Sequence, residues 1–233
     1  MSGDDPLQAL VELAGPAADD VCLDFGAGVG RASFAVAPLV ARVEAVDADE
    51  EMLGEAERLG REVGVDGIDY RRVDLNRLPW DEPRYDLILC DMVLHRLLAP
   101  VGSLRELTRI MRPGGRMVVV DVVVDEATDR YVNELARLRE PEHWRHYRAE
   151  EYEQMLHEAG LLATERRILR QSVDVDAWAE AGLATPAGLD LIGPRLRSYP
   201  VDAQVALDVA YADGRASFSF DVMAIRLEAG GSS

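Results

Sequence analysis

Between Val21 and Gly30 the chain reads Val21-Cys22-Leu23-Asp24-Phe25-Gly26-Ala27-Gly28-Val29-Gly30: five residues suited to a buried strand, then three alternate glycines. An apolar helical pattern follows at once, from Arg31 to Val40. Few folds join a strand to a helix through such a turn. Without side chains the backbone turns sharply and lies against a ligand, and the helix N-terminus beyond it presents unpaired N–H groups. The stretch therefore points to a nucleotide-type ligand held by main chain.

Two details separate this turn from the dinucleotide-binding fingerprint. Asp24 sets a carboxylate at the strand end, which repels a pyrophosphate but suits a ligand carrying a cationic amine and a sulfonium. Counting the fingerprint from Gly26 puts Arg31 at its third small position, and counting from Gly28 puts Ser33 there, so neither register fits.

Upstream, Asp5 to Ala14 carries Leu7, Leu10, Val11 and Ala14 at helical spacing, a short amphipathic helix expected to cover the edge of the site. Downstream, a second strand from Arg42 to Asp47 ends on an acid 17 positions after Gly30, where it can accept from both hydroxyls of a ribose. Helix Glu50 to Val63 turns Met52, Leu53, Ala56 and Leu59 to one face, with Met52 either core packing or an adenine contact. A third strand, Ile68 to Val73, leads into Asp74-Leu75-Asn76-Arg77-Leu78-Pro79-Trp80, where Asp74 is either a turn former or an acceptor for an exocyclic amine. Tyr85 to Cys90 is a continuous apolar strand. Helix Val101 to Met111 stops at Arg112-Pro113-Gly114-Gly115, and Met117 to Val124 is a fifth strand.

Strands alternating with helices imply right-handed crossovers and an α/β, doubly wound, mostly parallel sheet. Ligands of such sheets bind beyond the carboxyl ends of the strands, where Gly26, Asp47, Asp74 and Cys90 fall. After Asp125 the regularity ends. Helices are expected over Asp129 to Arg139 and over Ala149 to Ala159, closed by Gly160, with a strand from Leu161 to Val173. Asp174 to Gly214 reads as mostly helical with breaks at Pro186, Pro194 and Pro200, and Ser217 to Leu227 as a last strand. The final strands are expected to pair antiparallel at the sheet edge, and the tail from Glu228 to Ser233 to be disordered. One domain over 1–233 results, with a core at 15–124 and helical cap segments at 125–160 and 174–214.

Composition narrows the chemistry. Forty-three acidic residues against 25 basic ones leave a formal net charge of -18, which disfavours nucleic acid or an anionic membrane as a partner. All 25 basic residues are arginine, so a Schiff-base lysine, a phosphate-loop lysine and the Tyr-x-x-x-Lys dyad of short-chain dehydrogenases are excluded. Cys22 and Cys90 fall in expected central strands as small buried hydrophobes, with no disulfide framework or metal cluster implied. No apolar run is long enough to span a membrane, and the first residues lack a signal-peptide pattern, so a cytoplasmic protein is expected.

Taken together, Asp24 to Gly30, Asp47 with Met52, Asp74-Leu75 before Leu78-Pro79-Trp80, Tyr85 to Cys90 and Leu104 to Gly115 resemble a class I S-adenosylmethionine-dependent methyltransferase. The resemblance covers Val21 to Val124. More loosely, Tyr131 to Gly160 is similar to the small-molecule group that includes the ubiquinone and menaquinone C-methyltransferases. It implies the Rossmann-like methyltransferase fold, a seven-stranded sheet with an antiparallel edge strand and a helical cap insertion, and S-adenosyl-L-methionine as cofactor. The implied cofactor-binding set is Asp24, Gly26, Ala27, Gly28, Gly30, Asp47, Ala48, Met52, Asp74, Leu75 and Cys90. Within it, Asp24 and the glycine loop would hold the methionine part, Asp47 the ribose and Asp74-Leu75 the adenine edge, with Cys90 lining the site through its backbone. Position 91 onward reads Asp91-Met92-Val93-Leu94 instead of an Asn-Pro-Pro-Tyr type loop, which argues against a DNA or protein-glutamine acceptor.

The expected reaction is methyl transfer to an O, N or C nucleophile of a small apolar or aromatic molecule, an in-line displacement that the enzyme promotes by alignment and exclusion of water. His95, just beyond the fourth strand, is either the general base or a structural hydrogen-bond partner. His143 and His146, flanking Trp144, share a face if helical and are either a second catalytic cluster or a packed lid. Two other readings stay open: a protein that uses the sulfonium charge to assist a cyclisation or rearrangement, and a nicotinamide oxidoreductase. No acceptor molecule and no oligomeric state follow from these residues.

Overall fold

Strand β1 (Val21–Phe25) is buried toward both faces, and in the computed structural model it lies inside the sheet between the strands Arg42–Asp47 and Tyr85–Asp91. The structure describes residues 5–140, 142–182 and 185–230. Helix α1 (Pro6–Ala14) is capped by Asp5, whose carboxylate accepts from the Leu7 N–H. After β1 come α2 (Arg31–Val36), β2 (Arg42–Asp47), α3 (Glu50–Val63), β3 (Ile68–Arg72), β4 (Tyr85–Asp91), α4 (Pro100–Ile110) and β5 (Met111–Val124). The strand order β3-β2-β1-β4-β5 is parallel throughout.

The second half adds α5 (Asp129–Arg139), β6 (Tyr147–Arg148), α6 (Ala149–Glu158), β7 (Leu161–Asp174), α7 (Val175–Glu180), α8 (Pro186–Arg197), α9 (Val201–Ala206), β8 (Ala210–Ala212) and β9 (Arg215–Ala229). Strand β9 is the reversed one. It inserts between β5 and β7, antiparallel to both, and β7 becomes the outer strand on that side. The short strands β6 and β8 pair with β5 and β9 outside the seven-strand path.

Among the described residues the buried apolar side chains form two clusters, and the pleat explains the split. Cys22, Leu87, Leu89, Val118 and Val120 face α1, α2, α5 and α8, while Leu23, Ile88, Cys90, Met117 and Val119 face α4 and α6. Helix α1 packs across β5 and β9 inside the first cluster, and it contributes nothing to the cavity described below, contrary to the expectation that it covers the site's edge. Of the expected cap segment 125–160, α5 faces that cavity but α6 lies on the other face, with Tyr152 and Leu156 buried beside α4.

Several boundaries move for identifiable reasons. The helix expected to reach Val40 ends at Val36 and continues as a 3-10 turn over Ala37–Leu39, where Pro38 has no N–H for the helical ladder. Strand β5 starts early because Met111 pairs with Tyr85 and Arg116 with Leu87, so residues 112–115 bulge out, with Gly114 at φ 80°. Pro194 does not break its helix but lies inside α8, where Ile192 and Leu196 stay buried. Residues 210–214, expected to end a helical stretch, instead form a hairpin with 215–217 that turns at Asp213 (φ 51°) and Gly214 (φ 79°), an Asp-Gly pair suited to a two-residue turn. Glu228 and Ala229, expected in a disordered tail, pair with β7, and residues 231–233 lie outside the described residues. No helix among the described residues is long and apolar enough to cross a membrane.

Candidate active site

The glycine loop is shaped by its own backbone bonds. The N–H groups of Gly26 and Ala27 both donate to the Val46 carbonyl, at 2.8 and 2.9 Å, which draws the chain across the end of β2. Gly26, Gly28 and Gly30 have φ of 74°, 53° and 86°, a region where L side chains are strained. A Cβ on Gly26 would stand 2.2 Å from Val93 Cγ2, whereas one on Gly28 would meet no protein atom within 4 Å. Gly26 is thus required by packing, and Gly28 keeps open the space on its ligand side.

Two buried carboxylates hold the loop from behind. One Asp24 oxygen accepts from the Ser33 N–H (2.9 Å) and hydroxyl (2.6 Å), while its other oxygen is buried with no hydrogen-bond partner. Burial raises the Asp24 carboxyl to about 7, against the opposing pull of Ser33. Asp47 accepts from the Gly28 N–H at 2.9 Å through one oxygen and from the Asp49 N–H at 3.0 Å through the other. It pins the loop to β2, and each oxygen keeps a second lone pair.

A cavity of about 450 Å³ opens beside the loop. Gly26, Ala27, Gly28 and Met52 line one end; Val122, Val132, Ala136, Trp178, Phe218 and Phe220 form an apolar wall; His95, Arg139, Glu140 and His146 form a polar end. Of the expected cofactor residues, Asp24, Gly30, Asp47, Ala48, Asp74, Leu75 and Cys90 do not line it. Asp74 is exposed and closes an Asx turn, accepting from the Asn76 N–H at 2.9 Å. Cys90 is fully buried, its thiol pushed well up by burial, and the cavity wall begins with the next two residues, Asp91 and Met92. Met92 has φ 54°, a strained value for a side-chain-bearing residue.

His95 sits in a 3-10 turn, Leu94–Arg96, directly after β4. Its Nδ1 lies 2.7 Å from Asp121 Oδ1, its backbone N–H donates to Asp121 Oδ2 at 3.1 Å, and its Nε2 is 3.5 Å from Glu140 Oε2. The His95 carbonyl accepts from the N–H groups of Trp144 and Arg145, both at 3.0 Å, which fastens the segment after α5 onto this turn. His143 and His146 follow. Their rings stand 5.5 and 4.7 Å from His95 and 4.4 Å from each other. The segment carrying them is not helical: both histidines turn inward, while Trp144 between them is 52% exposed. Asn133 Oδ1 accepts from His143 Nε2 (2.9 Å) and from the backbone N–H of His146 (2.7 Å), and the Nδ1 of each ring is buried with no hydrogen-bond partner.

Electrostatics separate the three imidazoles. Burial alone lowers His95, but the Asp121 and Glu140 carboxylates outweigh it and lift the ring to about 9. Burial works against the Glu140 charge too, yet His95, with Arg139 and Arg96, holds that carboxyl at about 2. His143 falls to about 4 and His146 further, first through burial and then through the His95 charge. At neutral pH His95 already carries its proton, so the ordinary titration range that recommends a histidine as a base does not apply to it here.

Asp121 and Glu140 escaped the sequence reading. Asp121 had a signal, a single acid inside the run Met117-Val118-Val119-Val120-Asp121-Val122-Val123-Val124, where a lone buried charge demands a partner. Trp178, Phe218 and Phe220 had none, because Trp178 meets the two phenylalanines only across the fold.

Comparison with known proteins fits this geometry. A family model described as a methyltransferase domain matches residues 23–119. The chain is 30% identical over 183 residues to the uncharacterized methyltransferase YcgJ of Bacillus subtilis, covering 78% of this chain and 72% of that protein. The crystal structure of YcgJ superposes with a TM-score of 0.89 at 25% identity, over 97% of this chain and 99% of that one. A demethylmenaquinone methyltransferase of Clavibacter sepedonicus is 34% identical over 113 residues, 48% of this chain but only 45% of that protein. The cyclase SpnF, at 19% identity and a TM-score of 0.65 over 97% of this chain and 81% of that one, shares the fold. An orphaned Asp24 oxygen suits an ammonium, the loop suits a ligand lying against main chain, and this chain belongs to the class I S-adenosylmethionine-dependent methyltransferases, with S-adenosylmethionine as its cofactor.

Proposed function

We propose that the acceptor is a small, largely apolar or aromatic molecule, methylated at an oxygen, nitrogen or carbon nucleophile that lies toward the histidine end of the cavity. One observation carries the reading: the glycine loop and the wall of Trp178, Phe218 and Phe220 belong to one cavity. Bound S-adenosylmethionine supplies a methyl group on a cationic sulfur, whose carbon–sulfur bond breaks as the bond to the acceptor forms while the acceptor releases a proton. Gly26, Ala27 and Gly28 would hold the methionine part, with Asp24 behind the loop supplying a carboxylate suited to its ammonium. Asp47 would accept from the ribose, and Met52 and the turn at Asp74-Leu75 would border the adenine. Trp178, Phe218 and Phe220 exclude water from the acceptor side. His95, oriented by Asp121, presents Nε2 beside Glu140, so that end suits a polar group of the acceptor. The cap segments around α5 and α7 would select the acceptor, and the formal charge of -18 supports a small molecule over nucleic acid or an anionic membrane.

Calorimetric titration with S-adenosylmethionine, S-adenosylhomocysteine and NAD, followed by a panel of phenols, enols and amines, tests this reading. Micromolar binding of the first two ligands, no NAD binding and S-adenosylhomocysteine formation with a panel member are expected. His95→Ala should keep cofactor affinity and slow turnover. Product formation without S-adenosylhomocysteine would favour the assisted cyclisation or rearrangement instead.

A further inference from the structure

Three of the chain's four histidines meet in the buried cluster at the acceptor end, and cofactor binding uses none of them. We propose that His95, Asp121 and His146 form a binding site for a divalent first-row transition ion. One donor atom from each residue lies within 4.8 Å of the others, and all three residues are buried. The Asp121 oxygen is 2.7 Å from His95 Nδ1 and 4.0 Å from His146 Nδ1. With metal–ligand bonds of about 2.1 Å, those separations subtend roughly 80° and 145° at a shared ion, within the range of a distorted five- or six-coordinate site.

A second observation points the same way. His146 is 6% exposed, lines the cavity, and its Nδ1 has no hydrogen-bond partner, while its main chain is fixed by Asn133, which accepts from its N–H and donates to its carbonyl at 3.1 Å. A buried imidazole nitrogen without a hydrogen-bond partner is costly unless something binds it. Asp121 is held in place by the N–H groups of His95 and Val122, at 3.1 and 2.8 Å. Once His95 releases to solvent the proton it holds against Asp121, two imidazoles and one carboxylate make the donor set of an ion with positions left open, and both histidines border the cavity. Such an ion would polarise a hydroxyl of the acceptor as a Lewis acid. That use rests on the methyltransferase reading; the binding itself does not.

The test uses the untagged full chain, stripped with chelator, with neither cofactor nor acceptor present. Zn²⁺ is titrated by calorimetry and Co²⁺ by its visible absorption. One ion per chain, a Co²⁺ band, and loss of affinity in His146→Ala by more than about 100-fold are expected, beyond the 10–100-fold typical of losing an outer-shell partner. His157→Ala, in the exposed face of α6, should bind as the parent does. Asp121→Asn is the stronger variant; because its burial puts folding at risk, His146→Gln and the Zn²⁺-induced rise in melting temperature of the parent provide a second route. No ion bound by the parent, or unchanged affinity in a folded His146→Ala, overturns the proposal. S-adenosylmethionine titrated into the same stripped sample reports separately on the cofactor reading.

Discussion

At the glycine-loop end of the cavity the wall is the neighbouring residues 26–28 with Met52; at the histidine end it is side chains from three separate stretches around 95, 139–140 and 146. Each end rests on a buried carboxylate, and the two carboxylates differ in their partners. Asp24 has only the Ser33 N–H and hydroxyl, and burial drives it toward the neutral form. Asp121 has an imidazole at 2.7 Å and two backbone N–H groups. The contrast shows how one cavity serves two tasks. A cofactor of fixed chemistry is met by a glycine loop whose shape is set by its own bonds to Val46 and Asp47, while an acceptor is met by side chains that can be exchanged one at a time.

The largest expected effect lies in the Asp24 carboxyl. Its folded value of about 7 stands above the ordinary 3.8, so the folded state keeps a proton that the unfolded chain releases. Stability from this group is therefore present below about pH 4 and lost as pH rises toward 7, by up to about 4 kcal/mol at about 1.4 kcal/mol per unit. Denaturant unfolding of the parent and of Asp24→Asn between pH 4 and 8 should show the gap closing or reversing in favour of the variant. A constant gap would mean that Asp24 is ionised in the fold, and the two ends would then be electrostatically alike.

Next, Asp121→Ala at pH 7 strips His95 Nδ1 and two backbone N–H groups of their shared acceptor inside the protein. A loss of about 3 kcal/mol is expected. A loss below 1 kcal/mol would show that the histidine end is not braced by this carboxylate. Smaller again is Asp47→Ala, which frees the Gly28 N–H and removes the proposed ribose acceptor. Cofactor affinity should fall by about 2 kcal/mol with little change in melting temperature. Calorimetry showing unchanged affinity in the folded variant would leave Asp47 a brace for the loop and nothing more.

Much of the glycine-loop end was legible beforehand. The observed bounds of β1, β2, α3 and α5 coincide with those expected, because each is a short periodic run closed by its own cap or turn, as α3 is by Asp49 and Gly64. The glycines were legible for the same reason: their task is local. His95 was legible as a residue but not as a charge, since its proton is held by Asp121 and Glu140, 26 and 45 positions away. His143 and His146 share a face only if helical; they converge instead on a non-helical segment tied to the His95 carbonyl and to Asn133.

The alternation of strands and helices, the glycine turn and the acid closing β2 follow from residue order alone, because contacts between near neighbours and a fixed apolar period specify them. Long-range packing placed β9 between β5 and β7, which brings Phe218 and Phe220 to the cavity shared with the glycine loop. It also decided that three histidines share one buried space with Asp121. Those choices depend on which distant surfaces bury each other and where a buried charge finds its partner, and neither is written in the spacing of residues along the chain.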